Sequence, residues 1–346
     1  MTQPIQPAVS KRNAWVDYAK GIGIFLVVVG HTLRGLISDH ILSDSVWAST
    51  LDRWIYAFHM PLFFLITGFF IQRSVSNRSF NHFFVNKLKT IAYPYFVWSI
   101  LQGTIQLLVA QTGATNRSLQ VTQLLQVVYN PLMQFWFLYV LFLIVIAYAA
   151  LQKMGATPYF FLGLSGLLYA VVPLMQGFPW GVLILVCKYA LYVGIGAFLR
   201  TRFDLNRLEQ LSSTRLASIG AVSFVSLTAA VVLRLSTVYW LVPAIALLGI
   251  IWVCTIAALL AKHNIGSCLR SWGRASLEIY VAHTLFSACW RIVLSRGLNI
   301  EAASLHLLGG IAIGLYGPLT VCYLAQRWQI SYLFTLSAFG QRQTST

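Results

Sequence analysis

Charged side chains are scarce in this chain of 346 residues: they make up 9% of it, and only eight of them are acidic. A typical soluble domain carries about 25% charged residues. Hydrophobic residues account for 58% of the chain, and the mean hydropathy is +0.73. Apolar runs of about twenty residues, enough to cross the hydrocarbon core of a bilayer, recur along the whole length. The composition excludes a soluble globular domain and predicts an all-α polytopic membrane protein.

Several patterns that carry chemistry are absent as well. The sequence has no Walker loop, no H-E-x-x-H, no G-x-S-x-G and no Rossmann glycine fingerprint. Its five cysteines show no C-x-x-C spacing and mostly lie in apolar segments, so they predict neither a metal site nor a disulfide framework. The formal net charge of +16 is spread between the apolar runs and is not gathered in one stripe. A nucleic-acid partner is therefore not expected.

Hydropathy predicts about ten membrane spans. With the N-terminus inside, most of the 24 Lys and Arg residues fall in cytoplasmic segments. The positive-inside rule therefore predicts that both termini are cytoplasmic. Residues 119–138 and 328–340 could each form a re-entrant or interfacial helix. The predicted spans are 15–37, 54–72, 91–110, 134–151, 158–174, 181–199, 216–234, 239–261, 275–293 and 304–325.

The first predicted span carries three ionisable residues on one face. On an α-helix eleven residues advance about 1100°, so Lys20 and His31 differ in facing by about 20° and lie roughly 16 Å apart along the axis. Asp17 falls on the same stripe. Ionisable groups in a membrane helix are costly and usually face a protein interior, so this stripe indicates a functional site. The structural alternative is a helix end with snorkelling charges and one hydrogen-bonded histidine.

Two further spans contain candidate site residues. His59 lies two residues before Pro61, which lacks an amide N–H and leaves the carbonyl of residue 57 without its helical partner. The histidine either lines a substrate site near the outer edge or satisfies that carbonyl. In the ninth span Glu278 is an acidic residue inside an apolar run, so it should meet a cation or be protonated. Glu278, Tyr280 and His283 either line the site or pair helices in the bundle.

Basic residues gather in the loop after the second span, which carries Arg73, Arg78, Lys87 and Lys89. One interpretation is orientation of the chain together with contact to anionic lipid head groups. The other is a cytoplasmic anion site that holds the phosphates of a nucleotide-like donor.

Five segments of the sequence resemble acyltransferase family 3 of integral membrane acyltransferases, in particular its sugar O-acetylase branch with the fucose-4-O-acetylase-like proteins. Each piece alone is a weak signal, but they occur in the family's order over residues 13–285. The sequence departs from the family pattern at Thr67, where serine is frequent, and it is less arginine-rich over 86–95. The matching pieces are Lys20-x10-His31, the run Phe58–Gly68, the run Asn86–Tyr95, Trp136-Phe137-Leu138 and the run Gly273–His283.

The resemblance implies an enzyme that moves an acyl group, usually acetyl from cytoplasmic acetyl-CoA, to a hydroxyl of a surface polysaccharide, a lipid-linked sugar or a small acceptor. The short loops and the distribution of cations predict a single membrane domain over 14–327, with a cytoplasmic tail at 1–13 and an interfacial or cytoplasmic tail at 328–346. The expected location is a bacterial inner membrane, with lipids as neighbours and a homo-oligomer as one arrangement. No metal is expected.

Acyl transfer to an alcohol needs a base and a group that stabilises the oxyanion. His31, with an unperturbed pKa of about 6.5, is expected to act as the base or to carry the acyl group. Lys20 is expected near the donor thioester or phosphates, and Asp17 is expected to orient partners near the cytoplasmic mouth. The remaining expectations concern substrates: Arg73, Lys87 and Lys89 hold the phosphates of CoA, and His59, Glu278, Tyr280 and His283 line the substrate site.

Other functions fit part of this pattern. A transporter or flippase for lipid-linked sugars would also use proline-broken turns and buried charges. No internal repeat pairs the two halves of the chain, which favours the enzyme. An acyltransferase that uses another acyl group, an amine or a small-molecule acceptor is equally compatible with the sequence.

Overall fold

The computed structural model describes residues 13–42, 45–111, 119–204 and 206–336, and every regular element in these ranges is helical. Short 3₁₀ and π segments connect several of the helices. The helices are α1 (Ala14–Ser38), α2 (Val46–Tyr56), α3 (His59–Ser76), α4 (Phe80–Lys87), α5 (Tyr93–Gln111), α6 (Val121–Leu125), α7 (Trp136–Lys153), α8 (Pro158–Val171), α9 (Gly181–Arg202), α10 (Asn206–Gln210), α11 (Ser213–Val232), α12 (Val242–His263), α13 (Ser267–Arg274), α14 (Ser276–Ile292) and α15 (Ala303–Arg327).

Within the described residues, 9 helical segments are long and apolar enough to cross a membrane. This confirms the predicted all-α polytopic membrane fold. The third predicted span, 91–110, corresponds to α5, which does not belong to the nine. Its glutamines Gln102 and Gln106 lower its hydropathy. We call the end of the bundle that holds Asp17 the inner end, after the orientation predicted from the cations, and the opposite end the outer end.

The second span is broken between α2 and α3, just before Pro61. Because proline cannot donate a backbone hydrogen bond and restricts the residue before it, a break at this point follows from the sequence. His59 Nδ1 lies 2.8 Å from the carbonyl oxygen of Ile55. The carbonyl that the histidine satisfies is therefore that of residue 55 and not that of residue 57, because the chain turns at Ala57 and Phe58 and brings the ring back over α2.

Helix α1 lies at the centre of the bundle and packs against α2, α3, α12, α13, α14 and α15. Its closest neighbour is α13, where two glycines allow the backbones to approach. A Cβ atom placed on Gly273 would lie 1.7 Å from the carbonyl oxygen of Asp17. Gly68 plays a similar part between α3 and α9, since a Cβ atom there would lie 2.1 Å from the carbonyl oxygen of Val193. Side chains at either position would force helices apart.

Residues 119–138 and 328–340, each of which could form a re-entrant or interfacial helix, both contain short helical turns. Between α5 and α7 the chain forms α6 and two 3₁₀ turns, and it re-enters the bundle at Gln134 and Phe135, which are buried. After α15 a 3₁₀ turn at Ser331–Leu333 is tied to α5, because Trp98 Nε1 donates to the carbonyl of Leu333 over 2.9 Å. The tails at 1–12 and 337–346 lie outside the described residues.

Candidate active site between two cavities

Three histidines from three helices meet near the middle of the bundle: His31 on α1, His59 on α3 and His283 on α14. We call them the histidine cluster. The rings of His31 and His283 are 5.1 Å apart between centroids. The ring of Tyr56 links His31 to His59: its centroid is 6.2 Å from that of the His31 ring and 4.5 Å from that of the His59 ring. The structure places the rings of His31 and His283 side by side and links His59 to His31 through Tyr56. The site role that the sequence predicted for each histidine stays a prediction.

His283 is held in one tautomer by the backbone of its own helix. Its Nδ1 atom lies 3.0 Å from the carbonyl oxygen of Ile279 and 2.7 Å from that of Tyr280. Since carbonyl oxygens only accept, Nδ1 carries the proton, and Nε2 of the neutral ring keeps its lone pair. This Nε2 is buried and has no hydrogen-bond partner among the described residues. The site therefore holds a histidine nitrogen that can accept a proton beside His31.

On the inner side of the cluster lies a cavity of about 190 Å³. Lys20 is the charged residue in its lining. Tyr280 closes the end nearest the cluster, with its ring 6.2 Å from that of His283, and its hydroxyl donates to the backbone carbonyl of Gln134. The remaining lining residues are mostly apolar: Ile24, Phe63, Thr67, Thr90, Ile91, Phe137, Leu138, Leu141, Ser276 and Leu277.

On the outer side lies a second cavity, of about 250 Å³, whose polar lining residues are Arg34, Asp52, Arg53, Tyr56, Ser236 and Thr237. Arg34, one helical turn beyond His31, donates to both carboxylate oxygens of Asp52 over 2.7 and 3.0 Å. The same guanidinium stacks over the ring of Tyr56, 3.1 Å from its centroid. His31 is not among the lining residues of either cavity. It lies on α1 between Ile24, which lines the inner cavity, and Arg34, which lines the outer cavity.

Asp17 is placed differently from the other two members of its stripe. It is 2% exposed, and Arg274 Nε, at the end of α13, lies 3.3 Å from its Oδ2 atom. Lys20 lines the inner cavity, but Asp17 does not. The contact with Arg274 ties α1 to α13 at the inner end. The expected orienting role of Asp17 stays a prediction.

Cations converge on the inner end around Lys87. Burial, together with the charges of Arg78 and Lys20, lowers the pKa of Lys87 to about 8. Lys87 is partly buried, with its ammonium 5.2 Å from the centroid of the Phe83 ring. Arg73 and Lys89 are exposed on the same side of the bundle. Of the three predicted phosphate ligands, only Lys87 is shown to lie close enough to Lys20 to feel its charge.

A network of hydrogen-bonded polar side chains lies beside the cluster and was not predicted from the sequence. Gln134 Nε2 donates to Gln102 Oε1 over 2.8 Å and to Thr284 Oγ1 over 2.7 Å. Gln102 and Gln134 are buried, and Thr284 follows His283 directly. Each lies on a different segment, so no spacing in the sequence links them.

Glu278 is 3% exposed and lies two residues before Tyr280, in the first turn of α14.

Two other residues were missed although the sequence carried a signal for them. Arg34 follows His31 by three residues, a spacing that places both side chains on one face of α1. Tyr56 is close to His59 in the sequence, but it ends α2 whereas His59 begins α3, so its signal is nearness and not helical spacing. Arg34 and Tyr56 both line the outer cavity. Within the described residues, no group of three or more His, Cys, Asp or Glu side chains is arranged to hold a metal ion.

In the part of the chain that the structure describes, 9 apolar helical segments and the histidine cluster define an integral membrane protein with a polar site inside the bundle. The model of the family described as an acyltransferase domain, acyltransferase family 3, matches residues 13–327. The chain therefore belongs to this family, and the resemblance drawn from the five sequence segments is confirmed.

Two curated relatives match a shorter part of the chain. Both are called nodulation protein NolL, one from Mesorhizobium japonicum and one from Sinorhizobium fredii. Each is 34% identical, over 97 and 98 residues respectively, which is 28% of this chain and 26% of the relative. The chain thus spans about a quarter of the length of these relatives. No solved structure matches the chain.

Proposed function

We propose that this protein is a membrane-embedded O-acyltransferase of a bacterial inner membrane. It moves an acetyl group from acetyl-CoA at the inner end to a sugar hydroxyl, in a surface polysaccharide or lipid-linked glycan, at the outer end. The observation that carries the proposal is the position of the histidine cluster between two cavities. A donor and an acceptor can approach this cluster from opposite sides of the bundle, so CoA need not cross the membrane.

The inner cavity fits the reactive end of the donor. Its apolar walls suit the acetyl and thioester groups, and Lys20 offers a positive charge to the carbonyl oxygen, where negative charge develops during acyl transfer. The thioester would have to pass Tyr280 to reach His31. This gives Lys20 the donor-side role expected from its place in the first span.

The cations at the inner end fit the phosphates of CoA. Arg78 and Lys20 both lie near Lys87, so a chain of phosphates bound at Lys87 can extend towards Lys20 in the cavity lining. Arg73 and Lys89 extend the positive surface. Cationic side chains bind phosphate oxygens through charge-assisted hydrogen bonds, which are about twice as strong as neutral ones.

His31 is the residue we assign to proton or acyl transfer. It either removes the proton of the attacking hydroxyl or accepts the acetyl group before passing it on. His283, with a lone pair on the buried Nε2 atom, can take up a hydrogen bond from the His31 ring and so fix its orientation. Asp17 lies at the inner end of the stripe, away from His31. It acts through its contact with Arg274, which holds α1 against α13.

A transfer assay tests the proposal. The purified full chain in liposomes should move radiolabel from [acetyl-¹⁴C]acetyl-CoA to a methyl glycoside and release one CoA thiol for each acetyl group transferred. Competition with propionyl-CoA and succinyl-CoA assigns the acyl group. Movement of a lipid-linked sugar across the bilayer without transfer of label would instead support a transporter and overturn the enzyme.

The low pKa of Lys87 predicts a pH-dependent affinity for the donor. Below about pH 8 the ammonium is charged and attracts the CoA phosphates, whereas above this pH it becomes neutral. We therefore expect the KM for acetyl-CoA to rise by about tenfold as the pH increases through 8, the cost of losing one charge-assisted contact. Initial rates measured between about pH 6.5 and about pH 9.5 give this dependence.

Arginine substitutions provide the control. Lys87→Arg keeps the charge over this whole range, because arginine stays protonated, and it should remove the rise in KM. Lys89→Arg, at an exposed position of the same surface, should leave the rise in place. A KM profile unchanged by Lys87→Arg would place the CoA phosphates elsewhere.

A further inference from the structure

The outer cavity carries one positive charge that no carboxylate of the described residues balances. Arg34 and Asp52 cancel each other through their two hydrogen bonds. Arg53, the next residue in α2, also lines the cavity but forms no ion pair of this kind. Its Nη2 atom donates to Thr50 Oγ1 over 3.0 Å. The cavity therefore has a net charge of about +1 when its groups are in their usual ionisation states at pH 7.

Two buried donors in this cavity lack a hydrogen-bond acceptor. The Nε atom of Arg53 and the hydroxyl of Tyr56 are both buried, and neither donates a hydrogen bond within the described part of the chain. The guanidinium of Arg34 lies beside the Tyr56 hydroxyl, but it can only donate to it. Burying a polar group without a hydrogen bond is costly, and most buried groups in folded proteins are paired. Since both donors belong to residues that line one cavity, a single group bound there could accept from both.

We infer that the outer cavity binds an anionic group, a carboxylate or a phosphate, carried by the sugar acceptor. Arginine presents a planar fork of donors that matches the oxygens of such groups. A neutral hydroxyl would leave the charge of Arg53 uncompensated. The cavity of about 250 Å³ has room for such a group on a sugar ring.

The position of Tyr56 connects this anion site to the histidine cluster. Its ring lies 6.2 Å from that of His31, so an anion held by Arg53 and the Tyr56 hydroxyl would place a neighbouring hydroxyl of the same ring towards His31. The anion thus selects which sugar binds and how it is oriented. Only this assignment of the ligand as the acceptor rests on the proposed acyl transfer; the anion site itself does not.

Direct binding of two matched ligands tests the inference. Methyl β-glucuronide and methyl β-glucoside share one ring and differ by a carboxylate in place of a hydroxymethyl group. The purified full chain in detergent should bind the radiolabelled glucuronide more tightly than the glucoside. Arg53→Gln should weaken glucuronide binding by about tenfold or more, the effect of one charge-assisted hydrogen bond, and should change glucoside binding by less than about twofold.

Two further variants control for folding and for general charge. Arg53→Lys keeps a cation and should retain the preference for the anionic ligand, although the fork geometry is lost. Arg296→Gln removes an exposed arginine at the outer end that does not line the cavity, and it should bind both ligands as the unaltered protein does. If neither methyl β-glucuronide nor glucose 1-phosphate binds more tightly than methyl β-glucoside, or if the Arg53→Gln variant keeps the preference, the inference is overturned.

Glucose 1-phosphate identifies the source of the anion. Tighter binding than that of the glucuronide assigns a phosphate, as in a lipid-linked glycan, and weaker binding assigns a carboxylate; a preference of either ligand over the glucoside supports the anion site. The transfer assay separates this inference from the proposed function. If acetyl moves to no acceptor while the Arg53-dependent preference persists, acyl transfer fails and the anion site stands.

Discussion

Replacing His31 with alanine should lower the rate of acetyl transfer by about 10²- to 10⁴-fold, the range that general acid–base groups contribute. His31 lies between the inner and outer cavities, and its ring is 5.1 Å from that of His283. Alanine would leave the attacking hydroxyl without a base and the acetyl group without a carrier. Transfer of label from acetyl-CoA by the purified variant, corrected for the amount of folded protein, measures the effect.

His306 provides a matched control. It is also a buried membrane histidine, but it lies on α15 outside the cluster, where its Nε2 atom contacts the carbonyl of Ile300 over 2.7 Å. His306→Ala should reduce stability and leave kcat nearly unchanged. A His31→Ala variant that inserts normally and keeps full activity would remove His31 from the mechanism.

The unaltered protein and the His31→Ala variant together distinguish the two roles proposed for His31. When the unaltered enzyme is mixed with labelled acetyl-CoA without an acceptor and then denatured, label on the protein indicates an acyl carrier, provided that His31→Ala stays unlabelled. A protein that stays unlabelled while it turns over indicates a general base. Either result preserves the central position of His31.

Periodicity within one helix predicted which residues of α1 share a side. Helical geometry places Lys20 and His31 on one side of α1, and the structure finds Lys20 at the inner cavity and His31 in the histidine cluster. Asp17 lies on the same stripe, yet it contacts Arg274 of α13. The side of a helix can be computed from spacing, but the neighbour that covers each part of that side depends on how the other helices pack.

Contacts between distant segments could not be derived in this way. His31 and His283 are separated by most of the chain, and Gln102, Gln134 and Thr284 come from three segments. Single residues in apolar runs carry no signal of their partners. The sequence therefore indicated which polar residues are unusual in a membrane, whereas the structure shows which of them meet.

Replacing Gly273 with alanine should destabilise the protein and also disturb the active site. A Cβ atom on this residue would lie 1.7 Å from the carbonyl oxygen of Asp17 and 2.8 Å from the amide nitrogen of Gly21. Both are backbone atoms, so α1 and α13 would have to move apart. Overpacking of this kind costs about 1–3 kcal/mol or more. The midpoint of thermal unfolding in detergent should fall accordingly.

Gly163→Ala is the matched control, since a Cβ atom on Gly163, in α8, would meet nothing within 4 Å. Alanine there should be neutral or stabilising, by up to about 1 kcal/mol, because glycine weakens a helix interior. Through Ala275, α13 leads into α14, which carries His283, whereas His31 lies on α1. A shift between α1 and α13 should therefore change the distance between His31 and His283, and kcat of Gly273→Ala should fall even per folded molecule. Equal unfolding midpoints and equal kcat for the two variants would show that the close contact of α1 with α13 does not hold the histidines in place.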